Sequence, residues 1–319
     1  MRALRWQTLL RVAVIGLVVA GVWWMLRGLH LSETGSALAD AIWWPIIVAA
    51  VINFGLLACK AVAWHVMLGP EHVVPIRRLF RYTITAFAAS VIVPARGGEV
   101  LRIVLLKRND GVPATRSTAV ALAEKLLDGL SMLIIMAPLP WLLPDLPPSV
   151  SWWIGGLSAI ALAILIGLRI AVGRVTSQGW LGRLISGMAV LKRPRRFVGT
   201  LAMLTTLWLL DVVMVKLVAY SVDIPLGWPG ALLVLFTLNL AIALPSTPGQ
   251  VGALELGAVA GLKILGVSKE SAIAFGLLYH ALQVVPLLAV GLILDGKMLF
   301  GGWRDEAKHE ASRSPTADP

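Results

Sequence analysis

Residues 91–102 read VIVPARGGEVLR. Within a strongly apolar chain, this stretch gathers a proline, two glycines, two arginines and a glutamate between Pro94 and Arg102. A bilayer interior resists both kinds of residue. Helix breakers free backbone polar groups, and each charge costs about 2.5–3.5 kcal/mol on insertion scales. Their coincidence marks a point where a helix stops partway and the chain turns against protein or water rather than lipid.

The rest of the chain sets that turn in a membrane. Of its 319 residues 58% are hydrophobic and 14% charged, with a mean hydropathy of +0.84; a soluble domain carries roughly 25% charged residues. Several apolar runs reach the length of about 20 residues that a spanning helix needs. The first run, Leu9–Leu26, is too long for a secretory h-region and ends in Trp23-Trp24-Met25 rather than small residues. It reads as a retained helix. A single cysteine, Cys59, rules out an internal disulfide. The net charge of +11 does not point to nucleic acid, because the basic residues sit in loops between apolar runs.

The expected fold is an all-α polytopic membrane protein, with spanning helices at about 9–27, 43–67, 119–143, 152–171, 197–221 and 270–296. The loop from Arg169 to Arg196 holds basic residues and no acidic one, so the positive-inside rule makes it cytoplasmic. Arg2, Arg5, Arg11 and the stretch 77–81 agree, and both termini fall inside. The outer loops at 144–150 and 223–229 carry aspartates and no basic residue. Trp23, Trp24, Trp43, Trp44, Trp141, Trp152 and Trp153 bracket those ends as an interfacial belt. These features make the chain a multi-pass membrane protein, and a bacterial inner membrane is the expected location. Residues 1–298 form the transmembrane domain, and 299–319 read as a disordered cytoplasmic tail.

Two apolar segments are too short to span: Tyr82–Val93 before Pro94, and Ala231–Leu244 before Pro245. Each reads as the first limb of a re-entrant hairpin, returning through about 97–108 and 251–265. Gly97 and Gly98 let the first hairpin turn, and Pro245, Pro248, Gly249 and Gly252 break the second. The first enters from the cytoplasm and the second from outside. Helix, hairpin, helix therefore occurs twice, at 43–143 and 197–296, in opposite orientations. Broken helices at corresponding places of two inverted halves point to a transporter site near the midplane.

The candidate site residues follow from charge at depth. Arg96, Glu99 and Arg102 recur at spacings of three, along one face of the returning half-helix. Glu124 and Asp128, four apart, share a face of the next span and are placed to meet Arg96 or Arg102. Lys125 lies between them, and Lys60 sits mid-span, where it cannot snorkel. Two readings stay open: a salt-bridge network that only staples the hairpin, or an anion site where a half-helix N-terminus and an arginine receive a lipid phosphate. Glu255, the one charge of the second hairpin, calls for a basic partner such as Lys216 or Lys60. Asp211 and Lys216 are five apart and point to different neighbours. His65 reads as interfacial, His280 as a satisfied interior histidine, and Asp295 and Lys297 as solvated. There is no His/Cys/carboxylate cluster at metal-ligand spacing and no nucleotide-phosphate loop, so neither cofactor nor metal is expected.

Pro94-x-Arg96-x-Gly98-Glu99-x-x-Arg102, Glu124-Lys125-x-x-Asp128 and Pro245-x-x-Pro248-Gly249-x-x-Gly252-x-x-Glu255 together resemble the lysylphosphatidylglycerol synthase transmembrane region, also called the flippase-like membrane family. The likeness covers about 5–298. In that family the region accompanies an aminoacyl-transferase domain, and stand-alone members are associated with export of lipids or lipid-linked glycans. With no transferase domain here, the resemblance implies translocation rather than synthesis. Lys125 stands where the family usually has arginine, and lysine keeps the charge but loses the bidentate fork. His280 stands where the last helix often has arginine, which implies a less cationic second half.

The expected function is a lipid translocase for an anionic or modified phospholipid or a lipid-linked intermediate. A gradient, or the lipid's own downhill distribution, would drive it. Arg96, Arg102 and Lys60 would attract the headgroup phosphate, while Glu99, Glu124, Asp128 and Glu255 would hold those cations once the site empties. The alternatives are a membrane-embedded transferase with Glu99 or Glu124 as base, and a scaffold for lipid or envelope biosynthesis. Partners would be the lipid itself and either a second copy or a lipid-synthesis enzyme.

Overall fold

A computed structural model of the chain describes residues 35–36, 38–92, 97–174, 188–243 and 248–297. The expected span at 9–27, Pro94, Arg96, Pro245, most of the basic loop and the tail 299–319 lie outside the described residues. Within them all regular structure is helical: α1 (Trp43–Leu68), α2 (Ile76–Ile92), α3 (Gly97–Asp110), α4 (Ala114–Met136), α5 (Pro148–Arg174), α6 (Pro194–Ser221), α7 (Trp228–Ala243), α8 (Ala253–Ile264) and α9 (Lys269–Lys297). A single turn, Leu139–Leu142, and two short 3-10 turns, Ala189–Lys192 and Pro248–Gln250, complete the order.

Among the described residues four helices are long and apolar enough to cross a membrane: α1, Pro148–Gly167 of α5, α6, and Lys269–Gly296 of α9. With its 23 residues α4 reaches about 34 Å, enough for a hydrocarbon core of about 30 Å. It is less apolar because Glu124 and Asp128 face protein. The span expected at 119–143 is thus shifted to Ala114–Met136, since Pro138 and Pro140 cannot continue a helix. The first hairpin's helix begins at Ile76 rather than Tyr82. Two of the three arginines in its basic first turns find an acid: Arg78 pairs with Asp110, and Arg81 Nη2 lies 2.5 Å from Asp295 Oδ1. Asp295 is therefore not solvated, as its position at a helix end suggested. It joins α9 to α2 and also accepts a hydrogen bond from Thr85 Oγ1 at 2.5 Å.

The centre of the fold is the antiparallel pair α1 and α6. Ile42 N–H donates to the Ser221 carbonyl at one end, and the Arg196 guanidinium lies against Gly69 at the other. Arg116 satisfies the open carbonyls at the end of α1, donating to Met67 at 3.0 Å and Leu68 at 3.1 Å. Exchanging α1 with α6, α2 with α7, α3 with α8 and α4 with α9 maps the packing onto itself. The contact α1–α2 answers to α6–α7, α2–α3 to α7–α8, α3–α4 to α8–α9, α4–α6 to α9–α1, and α2–α9 to α7–α4. The exchanged helices α1 and α6 run in opposite directions, so the two halves are inverted.

Each hairpin has its own apolar core. The first packs with the C-terminal half of α1 and Leu204 of α6, through Trp64, Met67, Leu79, Leu105, Leu106 and Leu127. The second packs with the N-terminal part of α1 and the later part of α6, through Ala49, Leu207, Val215, Phe236, Leu262 and Phe275. The hairpins thus occupy opposite ends of the α1–α6 pair. Their tips meet between the two cores, where Gly249 lies against Val91.

Candidate functional site

A cavity of about 660 Å³ opens between those tips. Its wall takes Lys60 from α1, Phe87 and Ser90 from α2, Glu99 and Arg102 from α3, and Lys125 and Asp128 from α4. The second half supplies Trp208 and Asp211 from α6, Asn239 from α7, Gly249 and Gln250 from the hairpin turn, and Tyr279, His280 and Gln283 from α9. One side is apolar and formed by Leu157, Ile160 and Ile164 of α5; Ile160 and Ile164 are exposed on the molecule's surface. A second cavity, of about 440 Å³, lies among the loops at Ile224–Gly230 and Leu265–Val267, away from the buried charges.

On the first half's side, charge is buried and cross-linked. Lys60 Nζ donates to Asp128 Oδ2 at 2.9 Å and Glu124 Oε1 at 3.2 Å. The other Glu124 oxygen accepts Trp64 Nε1–H at 2.7 Å and faces Arg102 Nη1 at 3.5 Å. The Arg102 guanidinium lies 4.6 Å from the centre of the Trp64 ring, a cation–π contact, and is 5% exposed. Trp208 Nε1 donates to the Asp128 carbonyl at 3.0 Å. The cluster is neutral, with two cations against two carboxylates. Among the described residues, however, Arg102 Nε and Asp128 Oδ1 are buried with no hydrogen-bond partner. Both atoms are shielded from the cavity, and a buried polar atom left unpaired costs about 1–3 kcal/mol.

Glu99 does not join this cluster, although it shares α3 with Arg102. It meets Lys125 Nζ at 2.6 Å, with both side chains roughly half exposed. An exposed pair contributes about 0–1 kcal/mol. Lys125→Met is therefore expected to change stability by less than about 1 kcal/mol, checked by thermal unfolding of the purified protein. A larger loss would make the pair a staple.

The second half carries matching contacts with different chemistry. Asp211 accepts from the Tyr279 hydroxyl at 2.6 Å, and Glu255 Oε1 meets His280 Nδ1 at 2.6 Å. The partner of Glu255 is thus His280, not Lys60 or Lys216: Lys60 belongs to Glu124 and Asp128, and Lys216 donates to the Leu226 carbonyl at 2.6 Å beside the Trp228 ring. Counted from the helix starts, Asp211 stands on α6 where Lys60 stands on α1. Tyr279, His280 and Gln283 on α9 stand where Glu124, Lys125 and Asp128 stand on α4. Glu99 and Glu255 are each the third residue of their returning helix. Lys60–Glu124 therefore corresponds to Asp211–Tyr279, and Glu99–Lys125 to Glu255–His280.

The turn of the second hairpin depends on glycine. Gly249 (φ 68°) and Gly252 (φ 84°) lie in the left-handed region, as does Gln250 (φ 63°) between them. Gly252 N–H donates to Glu255 Oε2 at 2.7 Å, which caps α8 from its own first turn. In the first hairpin, Gly98 lies inside α3 rather than at the turn, and allows α3 to approach the α2 backbone at Ala86.

Arg102, Lys60, Glu124, Asp128, Glu99, Lys125 and Glu255 are thus brought to one cavity or its immediate wall, with Arg96, Pro94 and Pro245 beyond the described residues. Spacing in the sequence did not single out Trp64, Trp208 or Tyr279, whereas His280, read as a satisfied interior histidine, is bonded through both ring nitrogens. The recurrence of Glu124-Lys125-x-x-Asp128 as Tyr279-His280-x-x-Gln283 was the available signal. Among the described residues no three His, Cys, Asp or Glu side chains are grouped to hold a metal.

The profile described as "Lysylphosphatidylglycerol synthase TM region" matches residues 8–291. The chain is also similar to a "UPF0104 membrane protein" of Methanothermobacter thermautotrophicus, 23% identical over 304 residues that span 88% of this chain and 90% of that protein.

Proposed function

The chain belongs to the lysylphosphatidylglycerol synthase transmembrane-region family of membrane proteins of lipid biosynthesis or translocation, and from that premise we propose that it translocates a phospholipid or lipid-linked intermediate. The observation that carries this reading is a cavity walled by both hairpins, whose lining joins Lys60, Arg102, Lys125 and Asp128 to the apolar side of α5. A phosphate oxygen suits the guanidinium N–H. A headgroup hydroxyl or ammonium suits the carboxylate oxygen. The α5 side chains offer an acyl chain an apolar path beside the charged wall. At about 660 Å³ the cavity falls in the range of small-ligand sites, enough for a headgroup but not for a whole lipid.

In this reading the mechanism is exchange of exposure between two inverted halves. The protein's part is binding and release, not bond making, and it works in a bacterial inner membrane with both termini cytoplasmic. Lys60 and Arg102 keep their carboxylate partners while the cavity is empty. They turn part of that charge toward a phosphate when it arrives, so the site resets without stranding a buried charge.

The test is reconstitution in liposomes of phosphatidylethanolamine and phosphatidylglycerol carrying a fluorescent phosphatidylglycerol. Wild type is expected to expose the probe to an external quencher faster than empty liposomes. Arg96→Ala and Glu99→Ala are expected to slow it about tenfold. A chemically altered probe would make the protein a transferase. The scaffold reading survives only if both variants keep normal lipid export in cells.

A further inference from the structure

His280 is held on both ring nitrogens by acceptors. Nδ1 lies 2.6 Å from Glu255 Oε1, and Nε2 lies 2.7 Å from the Gly249 carbonyl. A neutral imidazole has one donor nitrogen and one acceptor nitrogen. If Glu255 is ionised and His280 neutral, one of these short contacts sets a lone pair against a lone pair. Two protonation patterns satisfy both. Either imidazolium donates to the carboxylate and the carbonyl, or a protonated Glu255 donates to Nδ1 while Nε2–H donates to Gly249. Both contain the same number of protons, one more than a neutral histidine beside a carboxylate. The count does not depend on which tautomer is drawn.

The surroundings offer no other way to satisfy the site. Glu255 Oε2 is occupied by Gly252 N–H, so the carboxylate cannot rotate away without uncapping α8. The side chains of His280 and Glu255 are 12% and 5% exposed, which limits replacement by water. The charged groups on the packed elements are committed elsewhere: Lys60 of α1 to Glu124 and Asp128, Asp211 of α6 to Tyr279, and Arg81 of α2 to Asp295. Nearby, α2 presents Phe87, Ser90 and Val91, and α9 itself adds Gln283, none of which is charged.

We propose that Glu255, His280 and the Gly249 carbonyl form a binding site for one proton, and that this proton fastens the break of the second hairpin to α9. The equivalent pair in the other half, Glu99–Lys125, shows what is distinctive here. There the donor is a lysine ammonium group, in a pair that is roughly half exposed. Here the donor is a group whose proton leaves in the physiological range once its partners separate. The second hairpin is thereby tied to α9 by an exchangeable ligand, whatever the cavity carries.

The test compares wild type with Glu255→Gln and His280→Gln, as purified full-length chains, by thermal unfolding between pH 6 and 9. The unfolded pair has given up the extra proton above about pH 6.5, the ordinary histidine value, while the folded site retains it. The folded state then binds more protons, so stability falls as pH rises, up to tenfold in the unfolding constant per pH unit. The Glu255→Gln amide donates to Nδ1 of a neutral His280, satisfying both contacts without the proton. Its unfolding constant relative to wild type is therefore expected to fall toward high pH by up to tenfold per unit. His280→Gln, which titrates nothing, should give the same trend. If it does not fold, Glu255→Gln carries the test alone. A wild-type-to-variant ratio that is constant from pH 6 to 9 overturns the proposal. Because the measurement needs no transport, that result would leave the translocation reading standing.

Discussion

Glu124→Ala should lower the stability of the protein by about 3–5 kcal/mol, the usual cost of removing one partner from a buried charge pair. Glu124 is the hub of the first-half cluster. One oxygen accepts from Lys60 and the other from Trp64, and it is the carboxylate facing Arg102. Without it Lys60 retains Asp128 at 2.9 Å, but Arg102, 5% exposed, is left with an aromatic face and no anion in contact. Glu124→Gln should fall between, since an amide oxygen still accepts from Trp64. Adding Arg102→Met to Glu124→Ala should recover part of the loss, because an apolar replacement of a buried pair is often neutral. Denaturation of these proteins, with Arg102→Met alone to close the cycle, measures the coupling. A Glu124→Ala protein within about 1 kcal/mol of wild type would mean the charges are not assembled this way.

Gly98→Ala should also damage the first hairpin. A Cβ at that position would collide with the Ala86 carbonyl oxygen and with Ser90 Oγ. The serine can rotate away, but the backbone oxygen cannot, so α3 must draw back from α2. Overpacking of this kind costs about 1–3 kcal/mol, occasionally more, and here the displaced group is a whole helix. The yield of folded protein should drop sharply, and Ser90→Ala should not restore it. Gly129→Ala is the matched control. It lies within α4 with nothing within 4 Å of its added methyl, and should be neutral or slightly stabilising. Equal yields from the two variants would argue against close α2–α3 packing.

The helix breaks were legible in the sequence because breakers interrupt the apolar runs: Pro94 and Gly97 ahead of α3, and Pro248, Gly249 and Gly252 ahead of α8. In the sequence Gly98 looks like part of the first turn, whereas the close approach of α3 to α2 is what needs it. Lys60 stood out because a mid-span lysine cannot reach water, and it does end on two carboxylates. The choice of partners was not legible. Which acid meets which cation depends on how α1, α3 and α4 rotate against one another, and spacing along one helix says nothing about that. Indole is also at home at the interface, so nothing in the sequence marked Trp64 as a donor to the Glu124 carboxylate or Trp208 as a donor to the Asp128 backbone carbonyl. Asp295 misled, since an acid at a helix end looks solvated until α2 is packed beside it.

The meeting of the hairpin tips at Val91 and Gly249 also bears on voltage. The cavity between those tips is walled by both hairpins. In the proposed translocation a charged headgroup crossing there would do electrical work of about 2.3 kcal/mol per unit charge for each 100 mV it traverses.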